Sequence, residues 1–79
     1  MPKLTGYMVV INECQGNEPK DALIKLSTEI VEAAKMHNVV PQGGLWMLPY
    51  VDEDGIMHWV VAQVMVQWEV EGEQEILIS

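Results

Sequence analysis

The chain contains no arginine and no phenylalanine, a single cysteine, and only four lysines among its 79 residues. Each scarcity removes a class of protein. Twelve acids against those four bases leave a formal net charge of −8. Nucleic-acid binding requires a basic footprint that displaces counterions from phosphates, and none is present. The same balance disfavours anionic membrane surfaces. Cys14 stands alone, which excludes an intrachain disulfide, and Cys14, His37 and His58 lack the paired ligand spacing of a structural zinc site. The start, MPKLTGYMVVINEC, carries one lysine and five consecutive apolar residues, too few for a secretory leader. The apolar stretch around Val60 is too short and too interrupted by glutamine to span a bilayer. Together these absences point to a cytoplasmic protein, and the one free thiol agrees with a reducing compartment.

What is present is apolar. Hydrophobic residues make up 49% of the chain, yet a single domain of this length, residues 1–79, removes only roughly 60–65% of its unfolded surface from water. With an intrachain disulfide excluded and the ligand spacing of a structural zinc site missing, association with a partner subunit is the remaining way to add stability. The four lysines, Lys3, Lys20, Lys25 and Lys35, all precede seven acids that no further lysine balances. A basic protein partner is compatible with this charge, which also by itself keeps a small protein soluble.

The pattern predicts an α+β fold of order β-α-β-β-(β), one amphipathic helix packed on a small, mainly antiparallel sheet with a long hairpin. Residues 5–14, rich in β-branched and aromatic side chains, read as a first strand. Asn17 is the expected N-cap, with Glu18 and Pro19 in the first turn. From there to His37, Leu23, Leu26, Ile30, Ala33 and Ala34 recur at helical spacing, widened by Ile24 and Val31. Pro41-Gln42-Gly43-Gly44 marks a turn or bulge. Strands follow over 45–51 and 56–70 around Asp-Glu-Asp-Gly, and a short last strand is expected at 76–78. The segment VVAQVMV is an aggregation hazard when unfolded, and the acids at 52–54, 69 and 71 bracket it.

The hairpin is apolar on both faces. Alternation places His58, Val60, Ala62, Val64, Val66 and Trp68 on one side of the last long strand, and Met57, Trp59, Val61, Gln63, Met65 and Gln67 on the other. A loop of four residues (52–55) or of two (54–55) adds Leu45, Met47, Pro49 and Val51 to the first side and Trp46, Leu48 and Tyr50 to the second. Only an odd-length loop reverses this. The aliphatic first side, with Ala62 able to meet Ala33 or Ala34 closely, is the expected seat of the helix. Trp46, Leu48, Tyr50, Met57, Trp59, Val61 and Met65 then form the expected binding surface. Its tryptophan, tyrosine and methionine content, with little charge, is that of an interface. A homodimer packed sheet on sheet is the first expectation, and a pocket for an apolar small ligand at that interface the next. Were the faces exchanged, an aliphatic surface would be left open instead.

Strand directions bring Glu13, Cys14, Glu18, Asp52, Asp54 and His58 to one end of the molecule. Their spacing matches neither a calcium loop nor a cysteine–histidine motif. A solvated turn, a small buried thiol and a histidine at a strand end account for them, so no catalytic, cofactor or metal site is assigned. The start Met-Pro, followed by a strand and then EC and NEPKDALIKLSTEIVEAA, resembles the small tautomerases related to 4-oxalocrotonate tautomerase. The resemblance covers residues 2–34 and implies a strand–helix–strand unit that assembles through its sheets. It further implies that Pro2, freed by methionine removal, acts as a catalytic base. No arginine is present to bind an anionic substrate. The overall expectation is a small acidic interaction or ligand-binding protein without catalysis. A tautomerase-like enzyme and an acidic inhibitor of a nucleic-acid-binding protein are the alternatives.

Overall fold

The computed structural model describes residues 3–69, in the order β1 (Lys3–Gln15), α1 (Lys20–His37), β2 (Val40–Pro41), β3 (Trp46–Val51) and β4 (Met57–Glu69). The fold is α+β: one helix lies on a four-stranded, open antiparallel sheet. The expected strand at 76–78 lies outside the described residues, as do Pro2 and Val70. β4 is the centre. β1 pairs along its whole length on one side, from Lys3↔Glu69 to Gln15↔His58, and β2 and β3 share the other side end to end. The sheet is thus three strands wide. A register shift between Leu4 and Gly6 inserts Thr5 as a bulge, whose hydroxyl donates to the Gln67 carbonyl at 3.1 Å.

The helix begins later than Asn17 suggests. Pro19 occupies the N-cap with no side-chain cap, its carbonyl accepting from the Leu23 N–H at 2.9 Å, and Asp21 supplies the acid of the first turn. The segment ahead of it is occupied by a sharp turn, where Gly16 at φ 131° donates to the Met57 carbonyl and ties β1 to the start of β4. Asn38 closes the helix in the left-handed region at φ 53°, a conformation that asparagine tolerates. The Gln67 side chain donates to the His37 carbonyl at 3.2 Å, satisfying one of the helix's terminal acceptors.

The hairpin corrects the assignment of faces. Asp52 and Ile56 close the loop through Asp52 N–H to Ile56 O at 2.9 Å, leaving Glu53, Asp54 and Gly55 between them. Gly55 sits at φ 81° and donates to the Asp52 carbonyl, a turn ending in a left-handed glycine. The Asp52 carboxylate accepts the N–H groups of Asp54 and Ile56 at 2.9 and 3.0 Å and so stabilises the three-residue form. An odd loop reverses the parity: Trp46, Leu48 and Tyr50 stand opposite Ala62, Val60 and His58. The helix also takes the other side from the one expected. Val61 and Met65 are fully buried at 0% exposure, and Gln63 retains 5%, with Val10, Ala22, Leu26, Ala33 and Val39. The helix contributes two alanines to this core, so the long side chains of Met8 and Met65 fill the space over them. Ile24 and Val31, expected to widen the buried stripe, face outward.

Candidate functional site

The side of the sheet away from the helix carries no covering element among the described residues. Cross-strand neighbours share a face, so the register puts Leu4, Tyr7, Val9 and Ile11 of β1 beside Val60, Ala62, Val64, Val66 and Trp68 of β4. Trp46, Leu48 and Tyr50 of β3, and Val40 of β2, complete it. Tyr7 is 75% exposed, Trp46 70% and Leu48 63%. Ala62 is the smallest residue of this face, and a hollow of ≈ 460 Å³ opens over it, lined by Val9, Trp46, Met47, Leu48, Val60, Ala62 and Val64. Glu13 of β1, opposite Val60, is the point where charge begins.

Beyond it lies a polar end. The His58 ring stacks on Tyr50 with centroids 4.9 Å apart and planes 10° from parallel. His58 Nε2 lies 2.6 Å from Asp52 Oδ2, and Nδ1 faces Glu13 Oε1 at 3.9 Å. The Tyr50 hydroxyl donates to the same Glu13 oxygen. The hydrogen bond from His58, followed by the Ile56 N–H, holds the Asp52 carboxyl below its ordinary value. The Tyr50 hydroxyl is pushed above its ordinary value, first by its hydrogen bond to Glu13. Both imidazole nitrogens thus face carboxylates of the protein itself. The arrangement fastens β1, the β3 end and the hairpin loop to one another.

The end-of-molecule convergence expected from strand direction holds for Glu13, Asp52 and His58. Cys14 and Glu18 meet each other on the helix side, the thiol donating to the Glu18 carbonyl at 3.5 Å, while Asp54 stays exposed in the turn. Among the described residues no group of three or more histidine, cysteine, aspartate or glutamate side chains is arranged to hold a metal ion.

The seven residues of the expected binding surface are divided between the two sides. Trp46, Leu48 and Tyr50 stand on the open face. Met57, Trp59, Val61 and Met65 are on the helix side, where Val61 and Met65 are core. Trp59 is half-buried between its cross-strand neighbours Cys14 and Pro49, and its indole N–H has no acceptor among the described residues. The cause is the parity of the loop: one residue moves a whole strand from one face to the other. Sequence reasoning from the hairpin alone also misses Tyr7, Val9 and Ile11. Their odd-numbered alternation in β1 is the signal that finds them. Compared with protein-family models, curated proteins and solved structures, the chain gives no match in any of the three.

Proposed function

We propose that this chain is an interaction protein that self-associates through the sheet face opposite its helix. One observation carries the reading: nine large apolar or aromatic side chains on that face, from Leu4 to Trp68, are each at least 39% exposed. With aromatics alone contributing roughly 150–250 Å² apiece when whole, this surface is on the order of 1,000 Å². That exceeds the ~300–600 Å² of the largest patch on a typical monomer and matches the ~800 Å² that each partner gives to a stable complex. Charge lies at the two ends of the sheet, Glu13 and Asp52 beside His58 at one and the cross-strand neighbours Lys3 and Glu69 at the other, as at the rim of an interface.

Sedimentation equilibrium over a wide concentration range tests it. The wild-type chain is expected to sediment as a dimer, and Trp46→Glu as a monomer with unchanged helical circular dichroism. A wild-type chain that stays monomeric at every concentration sinks the proposal. The hollow over Ala62 supports a second reading, an apolar small ligand, because its volume and lining fall within the range of small-molecule sites. A solvatochromic apolar dye whose emission responds to wild type, and not to Ala62→Leu, is the expected result for that reading.

A further inference from the structure

We propose that the outer edge of β1, with the side of α1 beside it, takes an extended segment of a basic partner protein as an added strand. This edge is a separate surface from the open face and stands independently of self-association. β1 pairs with β4 along one side, and among the described residues no strand pairs with the other. Two hydrogen bonds fix which backbone groups are left over. Gly16, one step beyond the Gln15↔His58 pair, donates to the Met57 carbonyl, and Gln42 donates to the Val64 carbonyl. β4 therefore turns its odd residues' backbone groups toward β1 and its even ones toward β2 and β3. The even residues of β1 from Met8 to Cys14 bond to β4, and Tyr7, Val9, Ile11 and Glu13 direct their N–H and C=O groups outward. Long edge strands are ordinarily blunted by charge, proline or a bulge. Here the bulge sits at Thr5, and the run from Gly6 to Asn12 holds neither charge nor proline.

Between this edge and α1 runs a groove of ≈ 460 Å³. Met8 to Ile11 form one wall, Glu29, Glu32 and Met36 the other, and His37 lies at one end. Both glutamates are exposed, and neither is in a salt bridge among the described residues. No lysine lines the groove; Lys25 stands one turn beyond Glu29, nearer the helix start. An added strand continues the pleat, so its side chains alternate between the helix side and the open side. Those on the helix side meet Glu29 and Glu32, and the others lie beside Tyr7, Val9 and Ile11. The segment that fits alternates basic and apolar residues: backbone pairing gives affinity, and the alternate side chains give specificity. Long basic side chains also lay their stems over Met36. A second β1 fits less well. A two-fold axis along the strands would turn equal residues to opposite sides, which the pleat forbids, so two such edges close only antiparallel, about an axis normal to the sheet. Both helices then lie on one side with their Glu29 and Glu32 toward the junction, and Met8, Val10 and Asn12 bring no base to meet them. Residues 70–79 contain Glu71, Glu73 and Glu75 and no base, which disfavours them in the same groove.

A blocked, labelled peptide of alternating lysine and valine tests this by fluorescence anisotropy against the full chain. It is expected to bind, and the same peptide with glutamate for lysine is not; equal binding of the two overturns the proposal. The double variant Glu29→Gln, Glu32→Gln, altered only at exposed helix positions, is expected to weaken binding about three- to tenfold. Unchanged affinity there overturns the assigned groove. Strand addition is separated from charge attraction by two further peptides, N-methylated at every valine or at every lysine. One alternate set turns its N–H groups to β1 and the other turns them away, so one peptide is expected to lose binding and the other to keep it. Equal effects, whether both bind or neither does, overturn strand addition. Amide exchange gives the location: the N–H groups of Tyr7, Val9 and Ile11 are expected to slow on peptide addition, and those of Met8 and Val10 to stay as they were. Protection of the first three already present in the free chain would mean that the edge is occupied, and overturns the proposal. Trp46→Glu, which alters the open face, is expected to bind the peptide as wild type does. Loss of binding in that variant would place the peptide on the open face instead of the edge.

Discussion

The two faces of this sheet are built from similar material and have opposite fates. On the helix side, Val10, Val61 and Met65 are enclosed by Ala22, Leu26 and Ala33. On the other side, Val9, Ile11 and Leu48 are as apolar and stand open. A single amphipathic helix covers one face of a sheet three strands wide. The difference is therefore one of available cover: the chain makes two apolar faces and, among the described residues, one lid. That open apolar face is the observation on which the proposed association rests.

The sharpest way to break the comparison is the same substitution on both faces. Leu26 is 1% exposed, and Leu26→Ala is expected to cost about 2–5 kcal/mol, a large part of the stability of so small a domain. Leu48→Ala, on the open face, is expected to stay within about 0.5 kcal/mol at low protein concentration. Its cost should grow as concentration rises, because a ligand-free monomer and an associated form are linked by mass action. Urea denaturation at several protein concentrations measures both. Equal, concentration-independent costs would show that the two faces are equivalently covered.

A smaller effect is expected from Gln63, the buried polar residue of the helix side. Its amide donates to the carbonyls of Gln42, Gly43 and Val64 at 3.4, 3.3 and 3.0 Å and holds the segment between β2 and β3 against β4. Gln63→Ala is expected to cost about 1 kcal/mol and to speed amide exchange at Gln42, whose N–H donates to the Val64 carbonyl. Unaltered exchange at that amide would argue that the backbone alone holds the segment.

The smallest effect belongs to the polar end. The folded Asp52 carboxyl titrates below its ordinary value of 3.8, so its contribution to stability is complete above that value. It is lost as pH falls through the lower, folded value. The stability gap between wild type and Asp52→Asn is therefore expected to be widest near neutrality and to close below pH 3.8. Thermal melts across an acid series check this, and a gap that widens in acid would reverse the assignment.

The helix and the α+β class are legible in the sequence because periodicity over eighteen residues survives an error of one or two positions. The sides of the hairpin are not legible in the same way. Their assignment depends on whether the loop between two apolar runs is odd or even, and Asp-Glu-Asp-Gly is compatible with both. The decision lies in Gly55 taking a left-handed conformation while the Asp52 carboxylate gathers two N–H groups, a local contest that hydrophobic pattern does not report. β2 is hidden for a related reason: two residues, Val40 and Pro41, are too few to show alternation. Its proline is tolerated because it lies on an edge strand.

Among the described residues, every pairing in this sheet is made with β4, the last of the described strands to be synthesised. Until the ribosome has delivered it, β1, β2 and β3 have no ladder partner, and the helix is the one element able to form from local contacts. Lys3 meets Glu69 across nearly the whole described chain. Contacts of such long sequence separation slow folding, since the loop must close before any pairing rewards it. The apolar strand β1 is thus made first and sheltered last. That interval, rather than the finished molecule, is when the chain is most exposed to a chaperone or to a wrong neighbour.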